Sequence, residues 1–413
     1  MNEKVQIEEI EVEKLFGCYS YLLQTPIEGK FMIVYGDNGC GKTTILSFLF
    51  HLLNKSQRNM HNYAISKVVF EKFIVKLSNG DSISVIKKNP RLPDYLIRVI
   101  HEKKSIIDYS VKDIEKNDYQ LFELNDQYRE YLNSLNLDTI YLPADRKIYE
   151  KFPLDDEERR LYRKDMQRVE ISKRDESNIN TVLEKFRDWL ITSVVRKTDL
   201  GYRSIEDLYL GAIKDAEKPI DCNFDIKKAV EDLYRKNESF EKFGLSRNFL
   251  SNEFRSKVTK MKKNSLKKIT PVLKPYIDSL TLRLDALQTI QEKLNILKKY
   301  LDRFFLNKSV SIDAFEGLKI ISDVDKRELD VRSLSSGERQ IIYLFCRIVV
   351  ASSKSSVVII DEPEISLNIR WQKQFLKAID EIIGEEDCLV VVASHSVDLI
   401  SPYESAVVEL KNK

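Results

Sequence analysis

At 413 residues the chain has length for two or three folding units, and 43% hydrophobic with 32% charged residues describes a charge-rich globular protein. Sixty-seven basic residues against 65 acidic leave a net charge of +2, which excludes a global field announcing nucleic acid or a membrane. Five scattered cysteines without a C-x-x-C pair exclude a disulfide framework and a zinc site; no run approaches eighteen apolar residues, and the N-terminus lacks a signal-peptide core, so a cytoplasmic protein with no membrane partner is expected.

Residues 5 to 35 alternate apolar and polar positions (Val5, Ile7, Ile10, Val12) and end in the apolar run Phe31-Met-Ile-Val-Tyr35, which reads as strands leading into a glycine-rich turn. That turn is Gly36-Asp37-Asn38-Gly39-Cys40-Gly41-Lys42-Thr43-Thr44, followed by the apolar helical face Ile45-Leu46-Ser47-Phe48-Leu49-Phe50. Strand, glycine-rich loop and helix in this order make a phosphate loop. Glycine lets the chain curl until successive backbone N–H groups point at phosphate oxygens. Lys42 can then reach the β/γ-phosphates, Thr43 can ligate Mg²⁺, and the helix N-terminus adds its partial positive charge.

Asn79-Gly80 between the alternating runs Phe73–Leu77 and Ile83–Ile86 predicts a hairpin, with Val68-Val69-Phe70 read as part of the same small antiparallel sheet. Leu137 to Pro143 reads as a further strand that delivers Asp145 and Arg146 to a sheet edge. From 147 to 330 charged residues dominate and apolar residues fall at helical spacing. Leu287, Ile290, Leu294, Leu297, Leu301 and Phe304 form a short heptad seam, and Pro271 and Pro275 are expected to end the preceding helix. Lys257, Lys260, Lys262, Lys263, Lys267, Lys268 and Lys274 make a basic stretch, 257–274, that is a candidate for tracking DNA phosphates, although such runs are commonly solvated helix faces.

After residue 331 the α/β character returns. Leu334-Ser335-Ser336-Gly337-Glu338 opens a near-continuously apolar helix, with Ser335 and Glu338 spaced as a capping box and the helix start suited to an anion. Two short β-branched runs, Ser356–Ile360 and Cys388–Ala393, read as parallel strands buried on both faces, with a helix over 369–383 between them. They end in Asp361-Glu362 and Ser394-His395, and ligands of open α/β sheets sit outside such strand ends. Asp361 is placed to hold Mg²⁺ and Glu362 to polarise an attacking water.

Taken in order, Gly36 to Thr43, Leu334 to Glu338, Ile359-Ile360-Asp361-Glu362-Pro363-Glu364 and Ala393-Ser394-His395-Ser396 resemble the Walker A, signature, Walker B and switch-histidine motifs of ABC-type ATPases. Ser366-Leu367-Asn368 resembles the loop after Walker B that crosses between subunits, and Gln120 and Gln127 are the candidates for the glutamine loop. Ser-Ser-Gly-Glu in place of Ser-Gly-Gly-Gln is similar to the soluble branch containing chromosome-maintenance, recombination-type and OLD-like ATPases. The match covers about 1–90 and 331–410, with 137–146 as a further candidate stretch; the chain also looks similar to anti-phage defence ATPases of Septu-type or retron-associated systems, which act with a separate effector.

The resemblance implies an α/β ATPase head: a mostly parallel core sheet plus an N-terminal antiparallel β-subdomain, split as 1–146 and 331–413 around a charged helical insertion at 147–330. It implies a head-to-tail homodimer in which ATP on the Walker A loop of one subunit, Gly36 to Thr44, is closed over by Ser335, Ser336, Gly337 and Glu338 of the other. Thr43 and Asp361 would hold Mg²⁺, Glu362 would activate water, and His395 would sense the γ-phosphate. Three readings follow. In the first, ATP-dependent dimerisation switches a partner effector, a nuclease in genome or anti-phage defence; in the second, a DNA repair or chromosome-maintenance ATPase clamps DNA directly; the third, a transporter's nucleotide-binding subunit, fits poorly with the large charged insertion before the signature and with the Ser-Ser-Gly-Glu form.

Overall fold

The computed structural model describes residues 5–26, 29–55, 60–102, 104–111, 126–144, 172–200, 210, 213, 225–246, 251–352 and 356–412. They divide into two compact units, Met1–Asn178 with Arg347–Lys413, and Ile179–Cys346. Asp145, Arg146 and Gln120 lie outside the described residues.

The first unit begins with strands β1 (Ile7–Leu15), β2 (Tyr19–Gln24) and β3 (Phe31–Tyr35), then helices α1 (Lys42–Leu53) and α2 (Met60–Lys67). Strands β4 (Lys72–Leu77), β5 (Asp81–Ile86), β6 (Tyr95–His101) and β7 (Lys104–Val111) follow, then α3 (Asp126–Ser134), which carries Gln127, and β8 (Asp138–Leu142). The Asn79-Gly80 hairpin joins β4 to β5 as predicted, with Gly80 at φ 84°. The antiparallel sheet is larger than its sequence signal: six strands in the order β2-β1-β4-β5-β6-β7. Val68–Phe70 is not a strand but the link from α2 to β4; Phe70 is apolar because it packs against Phe48 of α1, 4.9 Å between ring centres.

The second unit holds α4 (Ser172–Leu200, from Ile179), α5 (Ile226–Glu241), α6 (Asn252–Lys260) and α7 (Lys263–Phe304). Contrary to the expected break, Pro271 and Pro275 lie inside the 42-residue α7. An interior proline costs a helix about 3 kcal/mol. The offset comes from tertiary packing: the seam residues Leu287, Ile290, Leu294, Leu297, Leu301 and Phe304 are all buried, and Pro275 itself is buried. Three antiparallel strands, β9 (Lys308–Asp313), β10 (Gly317–Ser322) and β11 (Glu328–Leu329), lie in the stretch read as helical and precede α8 (Ser336–Ser352). Their period-two pattern is short and punctuated by charge, which hid it.

Returning to the first unit, β12 (Ser356–Asp361), α9 (Ile369–Ile383), β13 (Cys388–Ser394), α10 (Val397–Ile400) and β14 (Val407–Glu409) complete the core. The second sheet is parallel, in the order β14-β3-β13-β12-β8. Its central strands are apolar on both faces, with Val358, Ile359, Ile360, Val390, Val391 and Val392 each fully buried. Register then decides the site. Asp361 pairs with Ala393 and Ser394 with Tyr35, so the phosphate loop, Asp361-Glu362 and His395 leave the same carboxyl edge.

Candidate nucleotide site

The phosphate loop joins β3 to α1, and two of its glycines sit where a side chain would be strained, Gly39 at φ 84° and Gly41 at φ 97°. At Gly41, the N-cap of α1, a Cβ would also lie 2.6 Å from Leu15 Cδ2, so another residue would be strained in its backbone and would have to displace the Leu15 methyl. The Tyr21 hydroxyl donates to the Cys40 carbonyl at 2.9 Å, tying the loop to β2; burial pushes this phenol up to about 12, keeping it a donor. Lys42 is 4% exposed and donates to the carbonyls of Gly36 (2.7 Å) and Asp37 (2.9 Å), which holds its ammonium over the loop.

Thr43 Oγ1 donates to Asp361 Oδ1 at 3.1 Å, and the Tyr141 hydroxyl of β8 donates to Asp361 Oδ2 at 3.3 Å. A hydroxyl and a carboxylate side by side supply the few hard oxygen ligands that Mg²⁺ takes from a protein when phosphates and water complete its shell. Burial pushes the Asp361 carboxyl up to about 6; the Thr43 and Tyr141 hydrogen bonds oppose this, and the charges of Glu362 and Glu364 add to it. Such a carboxylate is one a cation would stabilise, so the donor set fits the metal.

Because the folded-state value lies above the unfolded one, the native protein binds the extra proton between about pH 4 and pH 6. Stability therefore falls as pH rises through that window, and a penalty on the order of 3 kcal/mol for a two-unit shift is complete above it. In metal-free protein, Asp361→Asn is expected to raise the melting temperature by a few degrees at about pH 8 and by almost nothing at about pH 4. Thermal scans in EDTA check this; a variant less stable at the higher pH would show that the ionised carboxylate is not a burden to the fold.

Glu362 adopts a left-handed backbone, φ 45°, unusual for a non-glycine residue and of the kind that clusters at functional sites. Its N–H donates to Ala393 O at 2.9 Å, which extends the β12–β13 ladder past Asp361 while the side chain turns to a different side. His395 Nδ1 lies 3.9 Å from Glu362 Oε1 and 3.2 Å from Glu364 Oε1. Asn368 caps α9, its side chain accepting from Trp371 N at 3.0 Å, and fixes where the Ser366–Asn368 loop ends.

Ser335 to Glu338 belong to the second unit, and the capping box read from sequence is present. Ser335 N donates to Glu338 Oε2 (2.8 Å) and Glu338 N to Ser335 Oγ (3.2 Å). Lys308 of β9 donates to the other carboxylate oxygen at 2.8 Å. Burial would raise the Glu338 carboxyl, but the bonds from Lys308 and Ser335 outweigh it and hold it below its ordinary value. Both oxygens of Glu338 are thus engaged within the chain, and of the rest of the motif Ser335 and Ser336 are exposed while Gly337 is buried.

Four contributors escaped the sequence reading. Tyr141 could have been found from its place one residue before the end of β8, in register with Ile359 of β12. Phe16, 46% exposed at φ 55°, packs against the phosphate loop, its ring 3.3 Å from where a Gly41 Cβ would stand. Lys308 and Glu364 carry no local signal, since each acts through a partner about thirty residues away.

A phosphate loop, a strand-end Asp-Glu and a strand-end histidine on one edge of a parallel sheet, beside an antiparallel sheet, define an ABC-type α/β P-loop ATPase head. The chain belongs to the AAA ATPase domain family, whose model matches residues 6–400. It is 38% identical over 74 residues to the cobalamin import ATP-binding protein BtuD of Halobacterium salinarum, 18% of each chain. It is 28% identical over 144 residues to the energy-coupling factor transporter ATP-binding protein EcfA1 of Mycoplasma mobile, covering 30% of this chain and 50% of that one. The chain therefore spans at most half the length of these curated relatives. Among solved structures, the Smc head domain with an extended coiled coil bound to the C-terminal domain of ScpA, from Pyrococcus furiosus, is 14% identical, with 99% of this chain and 94% of that chain covered at a TM-score of 0.43. A second Smc head, bound to the winged-helix domain of ScpA, is 10% identical at a TM-score of 0.39, with 98% and 93% covered. Among the described residues no helix is long and apolar enough to cross a membrane.

Proposed function

We propose that this chain binds ATP with Mg²⁺ and hydrolyses it, and that two copies pair head to tail around the nucleotides to switch a partner effector, a nuclease in genome or anti-phage defence. The observation that carries the chemistry is the apposition of Thr43 Oγ1 with buried Asp361, next to a Glu362 of unusual backbone conformation. Backbone N–H groups from Gly36 to Thr44 and the Lys42 ammonium would bind the phosphates, Thr43 and Asp361 would hold the metal, and the exposed face of Phe16 would pack the base. Mg²⁺, when bound, neutralises charge developing on the phosphates. Glu362 would take the proton of the attacking water, with His395 beside it at the γ-phosphate end. Switching is supported by the second unit itself: Lys308 links the start of the signature helix to β9, which follows α7 directly, so a change at Ser335 has a paired and a covalent route into the insertion.

Phosphate release with and without Mg²⁺ tests the hydrolysis. Wild type should turn over and Lys42→Ala should fall to background; magnesium-independent or Lys42-independent turnover would place the chemistry elsewhere.

A second reading, direct clamping of DNA, is favoured by one observation. Lys257, Lys260, Lys262, Lys263, Lys267 and Lys268 are exposed at the α6–α7 junction; no acidic residue lies between 257 and 274, although Lys257 pairs with Glu253 at 2.6 Å. Counterion release makes binding by such a surface fall steeply with salt, by about 0.9 log units in K per log unit of salt for each phosphate contact. Lys263→Glu/Lys267→Glu is expected to weaken duplex DNA binding and reduce that slope by about two. A slope unchanged in the variant would assign the lysines to solvent.

A further inference from the structure

Glu364 is 6% exposed, two residues beyond Glu362, and its two oxygens are used very unequally. Oε1 accepts from Ser394 Oγ at 2.7 Å and from His395 N at 2.9 Å, and lies 3.2 Å from His395 Nδ1. Oε2 is buried without a hydrogen-bond partner. An ionised carboxylate has lone pairs and no proton. If the neighbouring Nδ1 were also a lone pair, acceptor would face acceptor at 3.2 Å on the side of the half-exposed ring that meets the buried carboxylate. Glu362 Oε1, 3.9 Å from the same nitrogen, acts in the same direction. His395 is also the only basic side chain within ion-pair distance of Glu364 among the described residues, so its Nδ1–H is the ring donor within reach of the carboxylate.

The chain just after His395 is held as well. Ser396 Oγ donates to Gln372 Oε1 at 2.7 Å, and Gln372 Nε2 donates to Leu367 O at 2.8 Å. The loop bearing His395 is thus fastened to the loop after Glu362 at two points, by Glu364 before the histidine's ring and by Gln372 after it.

We infer that Glu364 is a positioning residue for His395: its buried carboxylate keeps the ring proton on Nδ1, so that Nε2 is the nitrogen presented to the nucleotide. The part played by Nε2 rests on the ATP site proposed above, whereas the tautomer is a property of the chain alone. A histidine whose other nitrogen is fixed by a carboxylate has one defined tautomer and one ring orientation, and loss of such orienting partners typically costs about 10–100-fold in activity.

The experiment is a long-range ¹H–¹⁵N correlation spectrum of histidine-labelled protein at about pH 8. The chain has four histidines, and His395→Gln assigns the signal by its disappearance. Wild-type His395 should show the Nδ1–H pattern; the Nε2–H tautomer there overturns the inference without need of any further variant. In Glu364→Ala the preference for Nδ1–H should be lost, kcat for ATP should fall about 10–100-fold, and KM should stay within about twofold. A shifted tautomer with wild-type kcat, or a raised KM with unchanged kcat, would also overturn it. Should the alanine variant fail to fold, the wild-type spectrum still decides. Nδ1–H on His395 in a protein without any ATP turnover would count against the proposed function and leave the Glu364–His395 pairing standing.

Discussion

Glu362→Gln is expected to bind ATP as the wild type does and to hydrolyse it about 10²–10⁴-fold more slowly, the usual loss when a general base is removed. The substitution is nearly isosteric, so it keeps the backbone hydrogen bond to Ala393 O and the turn at φ 45° that aims the side chain. What changes is the ability to accept a proton. The charge of Glu362 also helps to raise Asp361, so its removal leaves the proposed metal ligand more readily ionised. Nucleotide affinity should therefore be preserved, and the ATP-bound state should accumulate. Single-turnover phosphate release together with equilibrium binding of a fluorescent ATP analogue separates the two effects. Turnover at the wild-type rate would remove Glu362 from its role; lost binding with proportionate loss of rate would make it part of the phosphate cradle instead.

Mixing Lys42→Ala protein with Ser335→Arg protein is expected to restore ATPase activity from two inactive components. The phosphate loop already supplies a full cradle from the N-terminus of α1, yet Ser335-Ser336-Gly337 opens a second long helix whose start is suited to an anion, with its capping box closed by Glu338. On the proposed function, one chain would thus carry two phosphate-binding helix starts. If they serve different nucleotides across a dimer, both defects of a mixed dimer fall on one composite site and the other stays intact. Ser335 is exposed, and the Lys42 ammonium is bonded to the Gly36 and Asp37 carbonyls of its own loop. Steady-state turnover against mixing ratio gives the readout. Absence of recovery, with heterodimers shown to form, would mean that each site lies within one chain or that both must fire together; full activity from a monomer would rule out sharing.

Much of this protein is decided by its sequence alone, because the signals are local. Phe31–Tyr35, the glycines of the phosphate loop and the apolar face after Thr44 follow from side-chain period and from the backbone angles only glycine adopts freely, and each formed as read. The same holds for the doubly buried strands ending at Asp361 and Ser394, for the capping box Ser335–Glu338 and for the seam of α7, whose residues interact within a few positions of one another. Tertiary structure alone decided what depends on distant partners. Tyr141 reaches Asp361 only because β8 pairs in register with β12, Lys308 meets Glu338 across thirty residues, and Glu364 meets His395 because β13 lies beside β12. Pro271 and Pro275 show the converse: the local rule against proline in a helix was overridden by packing further along α7, where a continuous buried seam stabilises the helix more than two missing hydrogen bonds weaken it.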